Sequence, residues 1–211
     1  MIKLPSTTIV NRRIPKDRFY SGRSNAAELK VLFTEAVEKV VWMNKLSPNT
    51  MNFPPSEEIR EIEIFETTLA VKAVDRRLYA AMDEAVKPHV VLHIIKALDH
   101  VEVVMGFRQP GDKTARYYAR TWADIESVEL DFASQSLDAL YLSLMRQLSE
   151  GVFAVDSGAS VADAKAKNAR RQAIEAAVGK LERELKKEKQ INRQFEISGE
   201  IRKLKKELKA L

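Results

Sequence analysis

Apolar and polar positions divide this chain into short, recognisable blocks. Residues 90–95, VVLHII, are apolar at every position except His93, the signature of a strand covered on both faces. From Val101 to Phe107 the pattern alternates, with Val101, Val103, Met105 and Phe107 on one side and Glu102 and Gly106 on the other. A third segment carries Tyr117, Tyr118 and Trp122 with Arg116 and Arg120 between them. The short polar links Leu98-Asp99-His100 and Pro110-Gly111-Asp112-Lys113 suit hairpin turns, so these three segments predict an antiparallel meander. Upstream, residues 57–71 read as a strand in which Ile62 and Ile64 alternate with Glu61 and Glu63. Asp75 then opens a helix with Leu78, Tyr79, Met82 and Val86 inward, closed by Lys87-Pro88. Strand, helix and strand at this length predict a crossover joining parallel neighbours.

The flanks follow the same logic. Residues 1–25 look extended, with a short strand at Thr7–Val10, and Phe19 and Tyr20 placed to pin the arm to the core. Asn25 caps a helix whose stripe runs through Leu29, Leu32, Phe33, Ala36, Val37, Val40 and Val41 to Trp42 and Leu46, ended by Pro48. Residues 49–56 are loop. A further short extended piece is expected at Val128–Leu130. Ser134 or Ser136 then caps a helix with Leu137, Leu140, Tyr141, Leu144, Met145 and Leu148 inward, ended by Gly151. The fold class is α+β: a mixed, mostly antiparallel sheet with flanking helices over residues 1–150, a linker at 151–160, and a C-terminal helical tail at 161–211.

The tail differs in kind. Ile174, Val178, Leu181 and Leu185 step by four, three and four, which is coiled-coil spacing. The pattern falters through Gln190-Ile191-Asn192 and resumes at Phe195, Ile201, Leu204, Leu208 and Leu211. A single helix of roughly 70 Å, at ~1.5 Å per residue, and a hairpin turning within residues 189–199 both fit. The interruption favours helical segments with a break or bend.

Composition narrows the chemistry. The 211 residues carry a net charge of +5 and no cysteine. Disulfides, thiolate nucleophiles and cysteine-bound zinc are therefore excluded. From Lys165 to Leu211 there are 15 Lys/Arg and 7 Asp/Glu, a net of +8, so the remainder carries −3. Such a split marks either contact with nucleic acid or an acidic protein, or a solvated helix rich in Lys and Glu. There is no run of eighteen apolar residues and no signal-peptide pattern, which makes a cytoplasmic protein the expectation.

Among candidate sites, no serine sits in a nucleophile elbow and no glycine-rich phosphate loop occurs. His89 and His93, four apart on a strand, would lie about 13 Å from one another, too far for one metal ion. His93 reads as a core histidine with a satisfied partner. Glu61, Glu63 and Glu66 with Lys72 and Asp75 supply the residue types of a metal-dependent nuclease, but the acid-x-lysine pairing on a second strand is absent. The tail offers Lys186, Lys187, Lys189, Arg193, Arg202, Lys203, Lys205 and Lys206, which could neutralise phosphates without reading sequence. Glu182, Glu184, Glu188 and Glu207 could instead pair with them at helical spacing.

Two stretches carry a family resemblance. One runs from Lys3-Leu4-Pro5 through Thr8-x-Val10 and Ile14-Pro15-Lys16 to Phe19-Tyr20. The other comprises Lys187-Glu188-Lys189-Gln190-x-Asn192-Arg193 and Glu200-Ile201-x-x-Leu204-Lys205-x-Glu207-Leu208. With Trp42, Ser47-Pro48 and Ile64-Phe65-Glu66 between them, the chain resembles a bacterial family of unknown function often encoded beside restriction–modification and helicase genes. The resemblance covers nearly the whole chain and implies no reaction. The expectation is a non-enzymatic accessory or adaptor protein without a cofactor. It would contact a protein, its own copy or nucleic acid through the tail, and a divergent nuclease is the alternative.

Overall fold

The computed structural model describes residues 4–108, 115–156 and 158–211. It divides into two compact units, Met1–Phe153 and Ala154–Leu211. In the first, six strands stand in sequence order in one sheet: β1 (Ile9–Ile14), β2 (Val37–Leu46), β3 (Ile62–Leu69), β4 (Val90–Lys96), β5 (Val101–Phe107) and β6 (Arg116–Trp122). Every neighbouring pair is antiparallel except β3 and β4, which are parallel. The exception arises because a helix crosses between them, as the sequence pattern predicts. The sheet and its helices make the fold α+β, mostly antiparallel.

The helices of this unit are α1 (Ala26–Ala36), the single turn α2 (Pro48–Met51), the crossover helix α3 (Arg76–Val86) and α4 (Leu137–Leu148). The Asp75 carboxylate caps α3 by accepting the Arg77 N–H at 2.8 Å, and Ser136 caps α4 by accepting the Ala139 N–H at 3.2 Å. Beyond α4, Glu150 and Gly151 both take positive φ (51° and 83°), where the residue without a Cβ is at ease.

Three expectations change. The helix expected from Asn25 to Leu46 stops at Ala36, and its second half is strand β2. Register shifts at Val37/Lys39 and Trp42/Asn44 bring Val37, Val40 and Leu46 inward. Bulges thereby imitate the three-residue spacing of a helix, while the β-branched run Val37, Val40, Val41 prefers the pleat. Residues 128–130 form no strand; Val128 and Phe132 are buried in irregular chain. The loop expected at 49–56 includes the short turn α2. The Pro110–Lys113 turn lies outside the described residues.

One face of the sheet carries a core built from Phe19, Leu29, Phe33, Phe65, Met82 and Ile95 among others. Phe19 is 1% exposed and stacks on Phe33 with ring centroids 5.6 Å apart, which fastens the N-terminal arm as expected. Helix α4 packs against β5 and β6 with Leu140, Leu144 and Met145 fully buried.

The second unit is a helical hairpin of α5 (Val161–Leu185) and α6 (Ile191–Ala210). Ile174 and Val178 meet Ile197 and Ile201, flanked by Leu181, Leu185, Leu204, Leu208 and Leu211. Ion pairs Arg170–Glu207 and Arg193–Glu184 bridge opposite ends, so the helices are antiparallel. The break falls at residues 186–190. Ser160 and Asp163 form a capping box at the start of α5. Asn168, buried, holds Ala154 through both backbone groups at 3.2 and 2.9 Å.

A polar group ties three elements of the first unit together. His93 on β4 lies 2.7 Å from an Asp83 oxygen on α3, and the Tyr117 hydroxyl on β6 donates to the other oxygen at 2.6 Å. His93 is fully buried, as the sequence suggested, and is satisfied at Nε2 alone, since its Nδ1 has no partner among the described residues. Removing the carboxylate strands the buried His93 and leaves the half-buried Tyr117 hydroxyl without its partner. Asp83→Ala should therefore lower unfolding free energy by about 3 kcal/mol in a urea titration; a loss below about 1 kcal/mol would contradict this role.

Candidate functional site

The eight basic tail residues do not act as one group. Lys205 pairs with Glu182 at 2.7 Å, and Arg193 pairs with Glu196 at 2.9 Å and Glu184 at 3.6 Å. The Lys205 hydrogen bond holds the Glu182 carboxyl below its usual range. Glu188 accepts the backbone N–H groups of Lys189 and Gln190 at 2.7 and 2.9 Å, and these bonds lower its pKa. The other six, Lys186, Lys187, Lys189, Arg202, Lys203 and Lys206, are exposed and have no ion pair among the described residues.

Helical rotation of about 100° per residue places Arg202 and Lys206 opposite the Ile197–Ile201 seam. Phe195 shares that outward face. It is 70% exposed and Ile191 is 68% exposed, so Phe195 is not the seam residue the spacing suggested. Ile197 takes that place. The break between the helices resets the phase, and a spacing count carried across it misassigns the first turn of α6.

The carboxylates proposed for nuclease chemistry also separate. Glu61 pairs with Lys45 at 2.7 Å and lies 3.5 Å from His89. Glu63 shares its face of β3, two residues on. Glu66 points to the opposite face and pairs with Lys96 at 3.3 Å. Lys72 pairs with Asp99, and Asp75 with Arg77. Among the described residues, no three His, Cys, Asp or Glu side chains are placed to hold a metal ion.

Glu63 stands out because it is 5% exposed and its Oε2 has no hydrogen-bond partner among the described residues. Burial first, and the Glu61 carboxylate second, push its pKa up to about 7. Burial acts upward on Glu61 too, but the hydrogen bond and charge of Lys45 outweigh it and hold that carboxyl low. The native state therefore binds the Glu63 proton more tightly than the unfolded chain does. This contribution to stability is complete at acid pH and fades as pH rises from 4.5 through about 7. Glu63→Gln should remove that slope and be more stable than the parent above the window, as read by thermal melts across pH; parallel curves would contradict it.

A third feature was invisible in the sequence. Arg23, Arg76, Arg77, Arg108 and Arg116, drawn from four separate segments of the chain, surround adjoining cavities beside Tyr117. No local motif links them; only the order of strands brings β6 and the ends of α3 and β5 together.

These observations define an α+β sheet protein bearing a basic helical hairpin. The chain belongs to the family described as a domain of unknown function, DUF4391, whose model matches residues 2–208. No curated protein and no solved structure matches it. Among the described residues, no helix is long and apolar enough to cross a membrane.

Proposed function

We propose that this protein is a non-enzymatic accessory or adaptor whose C-terminal hairpin binds nucleic acid. The supporting observation is the set of six exposed cations that make no close ion pair among the described residues, on a hairpin that also exposes Phe195. The hairpin buries its own apolar seam and turns its charge outward. Cations along a helix neutralise phosphates, and an aromatic ring among them gives bases a surface to stack on. The resemblance to a family encoded beside restriction–modification and helicase genes fits a DNA-directed system. Contact with an acidic protein surface, or with a second copy of the chain, uses the same charge without Phe195 as a base platform.

Fluorescence anisotropy with labelled single- and double-stranded DNA tests this. Affinity should fall steeply with added salt, with a slope of about 0.7–0.9 per phosphate contact. Replacing Lys186, Lys187, Lys203 and Lys206 together by Ala should weaken binding at least about tenfold at low salt and flatten that slope. Binding indifferent to salt, or unchanged in the fourfold variant, would overturn the proposal. The nuclease alternative rests on the Glu61–Glu63 pair alone. DNA and RNA incubated with the protein and magnesium or manganese should stay intact.

A further inference from the structure

Two adjoining cavities of about 650 and 200 Å³ open on the first unit and share Arg77, Ala80, Ala115 and Tyr117. The larger adds Arg76 and Arg116, and the smaller adds Arg23 and Arg108. We propose that this arginine-lined groove binds the phosphate group of a nucleotide, whether free or part of a nucleic-acid strand. The groove's lining belongs to the first unit, so this proposal stands or falls independently of the hairpin reading.

The charge is local. Residues 1–153 carry 20 Lys/Arg and 21 Asp/Glu, a net of −1. The groove gathers five of those cations, countered by Glu84 and Glu150 in its walls and by Asp75 and Asp83 beside it, for a net of +1. All five are arginine, and no lysine lines either cavity among the described residues. A guanidinium offers a planar fork that matches two phosphate oxygens at once, which an ammonium cannot do.

Two of these guanidinium groups are held in advance. Arg23 donates from Nη2 to the Ala81 carbonyl at 2.8 Å. Arg77 is gripped by Asp75 through Nε at 3.1 Å and Nη2 at 2.7 Å, and its Nη1 has no partner among the described residues. Arg108 Nη2 stands 3.7 Å from Glu84, too far for a hydrogen bond. Preset donors cost less ordering when a ligand arrives.

The ring beside them is fixed too. Tyr117 is tied through its hydroxyl to Asp83 at 2.6 Å and packs on Tyr79 with centroids 4.5 Å apart. A rigid aromatic ring next to paired guanidinium groups suits a ligand with both a phosphate and a flat base. Ala80, Ala115 and Ala119 keep the walls low. The combined space is of the order that holds a nucleotide-sized ligand, roughly 300–1,000 Å³.

The test titrates the full chain calorimetrically with ADP and with inorganic pyrophosphate, and by anisotropy with a labelled 5′-phosphorylated oligonucleotide. Saturable binding of ADP, or of the oligonucleotide alone, is expected. It should weaken at least tenfold in Arg77→Gln/Arg108→Gln, since each charge-assisted bond is worth about 1.5–3 kcal/mol. Binding of ADP assigns the site to free nucleotides; binding of the oligonucleotide without ADP, weakened by the arginine substitutions and retained in Lys203→Ala/Lys206→Ala, assigns it to a strand. Should the double variant misfold, Arg77→Lys keeps the charge but loses the fork, and a several-fold loss is still expected. The Lys203→Ala/Lys206→Ala hairpin variant should leave ADP binding unchanged. The proposal is overturned if neither probe binds, if the arginine variants bind like the parent, or if only the hairpin variant loses binding.

Discussion

The contact of Ile174 and Val178 with Ile197 and Ile201 decides what the C-terminal unit can offer the outside. Apolar residues at coiled-coil spacing must be covered, and the chain covers them by turning back on itself at residues 186–190. Antiparallel pairing consumes the seam. What faces outward is then set by the remaining helical positions, among which Lys and Arg outnumber Asp and Glu. Most helical stability in proteins comes from packing of an apolar face, so the seam that joins the two helices is what holds the exposed cations in place.

In the first unit the corresponding constraint is the single parallel pair, β3 beside β4. It requires a crossover, and α3 supplies it. That placement brings Asp83 over the sheet, where His93 and Tyr117 reach it, and sets Arg76 and Arg77 at the edge beside β6. One topological choice thus builds both the buried polar tie and the arginine groove. The groove's ring is held by the Asp83 carboxylate beneath it.

Much of this was legible from residue patterns. Alternation in Val101–Phe107 and the unbroken apolar run in Val90–Ile95 foretold their strands, because period-two burial leaves a direct trace. The crossover followed from the lengths of the segments. The pattern misled where bulges gave β2 a helical spacing and where the break between α5 and α6 reset the phase around Phe195. The site was legible only in part. A run of basic residues announces itself, but its division into paired and unpaired cations depends on which glutamates the opposite helix presents. Arginines from four separate segments meet only through tertiary structure, which no spacing rule encodes.

The account turns on the hairpin closing within one molecule. The chain has no cysteine, so labels can be placed at will. Spin labels at Glu182→Cys and Lys205→Cys, whose side chains meet at 2.7 Å, report on it directly. A hairpin places the two backbones within roughly 10 Å of one another, allowing label separations below about 20 Å that persist on dilution with unlabelled protein. A continuous helix would separate these sites by about 35 Å at ~1.5 Å per residue, and that result would contradict the account.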